Sequence, residues 1–482
     1  MPVRGLHGWP LVQTRPRLVV IGVMLSIVLA AMESTVVATA MPTVVASLGG
    51  IDVYSWVFSA FLLTSTVTMP LWGRLSDLFG RRGAYLTGLT IFLIGSALSG
   101  LSQSMAHLIG FRALQGLGAG SLITIGMTVI ADLYGLERRA RMQGYFSGMW
   151  GGASLVGPLL GGFLSDHVSW RWAFYVNVPF GAAAIALIGA GLRDVAPRPL
   201  RPKIDAPGLI LFTAGVSSLM IGLMLGGRSP SWYALPVLGP IAVAFALLGA
   251  FVSVERRAPE PIMPLTLFRL PLVRAAVATG FLSGMAMFGA ISFVPLFLQR
   301  VTNATAMGAG FVLTPFILGW VVCSIVSARL ALRIGYRSLV IAGMISLTTA
   351  FFLFSEWDAT LTRASAMGAV LVAGAGMGMT MVPMLIAVQN AVVRTDLGAA
   401  TSLTQFFRTI GGTVGVSVMG AVMAHRLQTG SDIESSLHGV FVVGLVVCVG
   451  ALLSAFLVPA GSARELARPE AAAAPTPPKA GR

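Results

Sequence analysis

Residues Arg112–Ile130 read RALQGLGAGSLITIGMTVI, and Gly148–Gly162 read GMWGGASLVGPLLGG. The first stretch continues a run of more than twenty residues from Met105 that contains a single fixed charge, Arg112. A guanidinium is costly in hydrocarbon, so by default it faces a protein interior or a water-filled cavity. The second stretch combines small residues that let helices approach closely with Pro158, which forfeits one helical hydrogen bond. Both read as membrane helices of a multi-span protein with a polar pathway inside it.

The composition agrees. Of 482 residues, 56% are hydrophobic and 10% charged, and the mean hydropathy is +0.86; a soluble domain carries roughly 25% charged residues. The net charge of +15 does not point to nucleic acid, because the basic residues sit in short loops rather than along a stripe that could follow a phosphate backbone. Cys323 and Cys448 both lie in apolar runs, which suits packing better than a disulfide framework. The first apolar stretch is too long for a signal peptide and reads as a retained helix.

A bilayer is spanned by about 20 apolar residues. That length places helices near 18–42, 53–72, 84–101, 105–130, 142–164 and 172–191, then 208–226 and 232–254, then 273–298, 308–328, 338–356, 365–388, 401–424 and 437–458. The expected fold is an all-α integral membrane protein of fourteen helices. A segment 1–17 precedes a six-helix bundle (18–192), and a connection (193–207) leads to two inserted helices (208–254). A second connection (255–272) leads to another six-helix bundle (273–458), and the tail (459–482) is expected to be disordered. With the N-terminus cytoplasmic, 25 of the 32 lysines and arginines fall on the cytoplasmic side and five outside, with Arg112 and Arg408 in helices. The asymmetry predicts a multi-pass cell-membrane protein with both termini cytoplasmic.

The loop GRLSDLFGRR (73–82) has a counterpart in ARLALRIGYR (328–337), with Arg74/Arg329, Gly80/Gly335 and Arg82/Arg337 in register. Two six-helix halves related as parallel repeats form a transporter plan with the substrate cavity between them.

Glu33 is the only acid placed deep in a span of either bundle. It reads as a carboxyl that exchanges a proton between the two sides, burial and nearby cations setting its protonation; a carboxyl held neutral by a neighbour is the plainer alternative. Arg112, Gln115 and Gly116 share one helix face, and Arg112 either biases such an acid or holds backbone carbonyls structurally. Arg408, in TQFFRTIGG, is expected to snorkel to the headgroup region. Gly73, Arg74, Asp77, Gly80, Arg81 and Arg82 are expected to form a cytoplasmic latch, with Asp77 accepting hydrogen bonds from helix N-termini or arginines. Leu332 stands at the matching place in the second copy, so the latch is expected to be asymmetric. Gly148, Gly152, Gly157, Pro158, Gly161 and Gly162 suggest a bend at the interface between halves. Glu33, Gln115, Met149, Trp150, Met285, Phe288, Gln299 and Trp320 are candidate substrate contacts, since methionines and aromatics accommodate varied apolar ligands.

These stretches together resemble the major facilitator superfamily and, within it, the fourteen-helix drug:proton antiporter group. Gly73–Arg82 resembles its loop signature, and Leu108 through Arg112, Gln115, Gly116 and Gly120 its fourth-helix signature. The run Gly148–Gly162 resembles the fifth-helix signature of exporters. MESTVVATAMP (32–42) resembles a first-helix signature that usually begins with aspartate, and here Glu33 keeps the carboxyl on a longer arm. The resemblance covers roughly residues 15–460. It implies alternating access by rocking of helices 1–6 against 9–14, with inward proton flow driving export of amphipathic, cationic compounds. It also implies a monomer in contact with membrane lipids, with no cofactor and no enzymatic activity.

The sequence contains neither a phosphate-binding Gly-rich loop with its Lys-Ser/Thr pair nor a dinucleotide fingerprint nor metal-ligand spacing. The nearest rival is a proton-linked exporter of an endogenous lipid or metabolite, and a more distant one is a facilitated importer or uniporter.

Overall fold

A computed structural model describes residues 15–49, 53, 55–193, 205–226, 233–258, 261–304 and 306–461. The N-terminal bundle consists of α1 (Pro16–Leu48), α2 (Ser55–Phe79), α3 (Arg81–Gly100), α4 (Met105–Leu133), α5 (Leu136–His167), the short α6 (Trp172–Tyr175) and α7 (Asn177–Gly191). Next come α8 (Ala206–Gly226) and α9 (Leu235–Glu255). The C-terminal bundle consists of α10 (Pro271–Arg300), α11 (Ala306–Ile334), α12 (Tyr336–Ser355), α13 (Arg363–Ala391), α14 (Leu397–Gln428) and α15 (Ile433–Ala455).

Among the described residues, thirteen segments are long and apolar enough to cross a membrane, with α6 and α7 counted as one. The fourteenth spanning helix is α5, whose dense glycines and charged first turn dilute its apolar side chains. Its 32 residues are about 48 Å long at 1.5 Å per residue, and it is seated between α1 and α11.

Each bundle packs chiefly within itself. The two meet along α2–α14 and α5–α11, while α8 and α9 pair with each other and α8 rests on α2 and α14. The glycines of the opening stretch make α4 the central packing element of its bundle. A Cβ at Gly116 would sit 2.5 Å from Phe61 O and one at Gly120 2.7 Å from Ser65 O, both on α2. Gly118 abuts Phe92 on α3. Small residues thus let α4 lie against two neighbours at backbone distance.

Several boundaries differ from the sequence expectation. The segment 73–82 is not an open loop: α2 continues to Phe79, and α3 begins at Arg81 after a one-residue turn at Gly80. Gly80 has φ 95° and Gly335, before α12, has φ 81°, a conformation that glycine adopts without strain. The two repeats therefore share the same turn. α5 starts at Leu136 rather than 142, its first turn carrying Glu137 and the following arginines. The sixth span breaks at Val176, because Pro179 offers no N–H to the carbonyl of Tyr175. The expectations for residues 1–14, 194–204 and 462–482 lie outside the described residues.

Candidate functional site

The break before α7 puts Asn177 at the start of that helix, facing Glu33 of α1 and Arg112 of α4. Arg112 Nη1 donates to Glu33 Oε1 in a buried ion pair and to Gln115 Oε1 at 2.7 Å, and its Nε donates to Val57 O at 3.2 Å. Asn177 Nδ2 donates to the other Glu33 oxygen at 2.6 Å and to Ser96 Oγ at 3.0 Å, and Ser96 in turn donates to Phe174 O. The guanidinium carbon lies 4.1 Å from the centre of the Phe61 ring. Glu33 and Arg112 are each 1% exposed. Both carboxylate oxygens have partners, and the two members of the ion pair cancel each other's charge. Gln115 Nε2 has no hydrogen-bond partner among the described residues.

The sequence expectation contained Glu33, Arg112 and Gln115 but missed Asn177. Its signal was an amide inside an otherwise apolar span, two residues before Pro179.

The residues 73–82 form a link across the two bundles. Asp77 Oδ1 accepts from the Gly398 N–H at 3.1 Å and Oδ2 from the Ala399 N–H at 2.9 Å, in the first turn of α14. A carboxylate from one bundle thus satisfies two orphan donors of a helix in the other, at the positive end of its dipole. Arg81 pairs with Asp77 and also binds Asp132 Oδ2 at 2.9 Å and Ser76 Oγ at 2.8 Å. Arg74 lies 4.0 Å from Asp396, just before α14. Arg82 donates to Gly189 O at 2.9 Å within its own bundle. Gly73 allows the close approach, since a Cβ there would be 2.5 Å from Gly398 O.

A second link was not foreseen. Arg139, at the start of α5, donates to Asn390 Oδ1 of α13 at 2.8 Å and to Ala131 O at 2.6 Å. Asn390 Nδ2 reaches Tyr336 Oη at 2.9 Å. Both links lie at the end of the bundles where α2 finishes and α5 starts. Toward the opposite end, α5 exposes Leu159 (76%) and Phe163 (57%), and α11 exposes Phe311.

The glycines of α5 serve two faces. Gly148 and Gly151 face the other bundle, where a Cβ on Gly151 would be 2.6 Å from Val321 and 2.9 Å from Ile317 of α11. Gly157 and Gly161 instead pack on Thr35, Thr39 and Val36 of α1 in their own bundle. Nothing lies within 4 Å of a Cβ at Gly152 or Gly162. The helix is continuous from 136 to 167, and the side chain of Pro158 lies outside what is described.

The remaining substrate-contact candidates are dispersed. Trp150 packs on apolar clusters of the N-terminal bundle and Met149 is half-buried nearby. Met285 and Phe288 pack on Gly415 and Gly412 at the α10–α14 crossing. Trp320 meets Phe316 edge to face at 5.8 Å, and Gln299 is exposed at the end of α10. Arg408, expected to snorkel to the headgroup region, is half-buried and turned toward α13. Its Nη1 donates to Met381 Sδ at 3.2 Å, and its Nε, shielded between α10 and α13, has no hydrogen-bond partner among the described residues.

Among the described residues, no group of three or more His, Cys, Asp or Glu side chains could hold a metal ion. The arrangement is a buried charge pair within one bundle and two polar links between the bundles.

The chain is 37% identical to the multidrug transporter protein MdtP of Bacillus subtilis, over 86% of this chain and 76% of that protein. It is 36% identical to multidrug resistance protein 3 of the same organism, over 86% of this chain and 80% of that one. The fold is similar to the crystal structure of the human organic anion transporter MFSD10, with a TM-score of 0.67 at 18% identity, covering 92% of this chain and 99% of that one. A family model described as Major Facilitator Superfamily matches residues 23–416, and with these relatives it establishes that the chain belongs to the major facilitator superfamily of membrane transporters.

Proposed function

We propose that the protein is a proton-coupled antiporter of the fourteen-helix drug-transport type, exporting amphipathic, drug-like compounds by alternating access. The observation that carries this reading is the buried Glu33–Arg112 pair with Asn177 on the second carboxylate oxygen. Protonation of Glu33 removes the charge that holds Arg112. Arg112 then keeps Gln115 Oε1 and Val57 O as acceptors, so the guanidinium is not stranded while α1 and α4 shift. A cationic compound can take the place of that proton on Glu33, which couples the two flows in opposite directions. In the described conformation the charge of Glu33 is already cancelled, so cation binding belongs to a state in which the pair has opened.

The Asp77–α14 and Arg139–Asn390 links act as the gate at the cytoplasmic end, closed in the described conformation. Support for that orientation comes from the lysine and arginine distribution, which also puts both termini in the cytoplasm. The relatives named as multidrug transporters support the drug-like substrate range. The protein works as a monomer, fuelled by the proton gradient, with lipid around its apolar faces.

The test is efflux of a fluorescent lipophilic cation against its gradient from proteoliposomes carrying wild-type protein or Glu33→Gln. The expected result is loss of uphill movement in E33Q with membrane insertion retained. Uphill movement at the wild-type rate in E33Q would refute Glu33 as the proton carrier.

A further inference from the structure

The C-terminal bundle holds a cation that neither the Glu33 cluster nor the gate uses. Arg408 lies where α14 crosses α10, with Gly284 against its backbone. Its guanidinium borders a cavity of about 30 Å³ between α10, α13 and α14, lined also by Gly280, Thr380, Met381, Thr404 and Gln405. No carboxylate is paired with it among the described residues. Among the described residues its acceptor is the sulfur of Met381, a weak one, and its Nε has none. Gln405, one turn earlier on the same wall, is 6% exposed and its side-chain amide makes no hydrogen bond among the described residues. Arg112 shows the contrast: in the other bundle a fully buried guanidinium has a carboxylate, an amide oxygen and a carbonyl, whereas Arg408 is half-buried with a thioether alone.

We propose that Arg408 and Gln405 form an anion subsite that takes the carboxylate of an amphipathic substrate, beside Thr380 and Thr404, whose hydroxyls donate to Gly376 O and Thr401 O. A guanidinium presents a planar fork matched to a carboxylate, and an unpaired one in an apolar bundle gains most from such a partner. The volume holds one or two water-sized groups, on the scale of about 15 Å³ for each, which fits a carboxylate head and not a whole drug molecule. Met381 and Met384 on α13 offer adaptable surface where an apolar body would continue. The inference rests on the export reading only in assigning that carboxylate to a transported compound. With Glu33 in one bundle and Arg408 in the other, it extends the range from cations to carboxylates and zwitterions.

The experiment measures equilibrium binding of 11-(dansylamino)undecanoate and of its methyl ester by dansyl fluorescence. Wild-type protein, Arg408→Gln, Arg408→Lys and Gln405→Leu are compared in phosphatidylcholine nanodiscs. The wild type is expected to favour the acid over the ester by about tenfold, from charge-assisted bonds that the ester cannot form. In R408Q the ratio is expected to fall to about one, and R408K to lie between because it keeps charge without the fork. Q405L is expected to lower the ratio by about threefold through loss of one hydrogen bond. The ester reports whether each variant keeps its apolar site, so misfolding lowers both ligands together and leaves the ratio unaffected. Equal binding of acid and ester by the wild type, or an acid preference that survives in R408Q, overturns the proposal. Proton-driven uptake of tetraphenylphosphonium by the same wild-type protein tests the antiport reading separately. Its failure alongside a preserved acid preference would remove that reading and leave the subsite standing.

Discussion

Replacing Asp77 by Asn should open the end of the molecule that α2 and α14 close. The carboxylate accepts the Gly398 and Ala399 N–H groups at 3.1 and 2.9 Å and pairs with Arg81. Asn keeps one acceptor oxygen and no charge. Arg81 retains Asp132 and Ser76, so the substitution strands no cation. Losing one charge-assisted hydrogen bond and the favourable interaction with the helix N-terminus costs the closed state about 2 kcal/mol, a shift of roughly thirtyfold toward separation. Spin labels at Gly83→Cys and Thr395→Cys, in a background with Cys323 and Cys448 replaced by alanine, report the distance across this gate. Gly83 has nothing within 4 Å of a Cβ and Thr395 is exposed, so both sites accept a label. The expected result is one short distance in the parent and an added longer one in D77N. Turnover in vesicles should slow while substrate affinity in detergent changes little. An unchanged distance distribution in D77N, or a collapse of affinity with normal turnover, would refute the gate.

Two other substitutions probe the remaining contacts. Asn177→Leu leaves one Glu33 oxygen and Ser96 without their donor, and should lower thermal stability by about 1–3 kcal/mol in detergent. That loss should shrink in the E33Q background, as a double-mutant cycle on melting temperatures would reveal. Gly151→Leu pushes into Val321 and Ile317 and should favour separation of the bundles by about 1–3 kcal/mol in the same spin-label experiment, whereas Gly152→Leu, one residue on and facing open space, should not.

The parts of this molecule legible in the sequence are those that the membrane makes expensive. Arg112 and Glu33 stand out because a charge in hydrocarbon needs a reason, and Asp77 because an acid embedded among arginines does. The repeat was legible in Gly80 and Gly335, which share a left-handed turn. Asn177 and Asn390 went unnoticed because an amide among apolar residues has many unremarkable explanations, and only the fold brings them to Glu33 and Arg139. The glycines of α5 announced close packing but not with which partner, since Gly151 and Gly161 point to different bundles. The surroundings of Arg408 are not legible in the sequence, because a position near a helix end says nothing of the helices packed beside it. The substrate candidates from Met149 to Trp320 were chosen by residue type, and type alone does not fix which helix faces converge.

Proton and substrate are proposed to exchange at one group, Glu33. The most direct measurement is substrate-induced proton movement in proteoliposomes of known orientation, loaded with a pH-sensitive dye and challenged with tetraphenylphosphonium. Movement of the cation is expected to drive protons the opposite way with wild-type protein, and E33Q is expected to abolish the proton signal. A cation flux with no proton movement in the wild type, or an equal proton signal in E33Q, would contradict it.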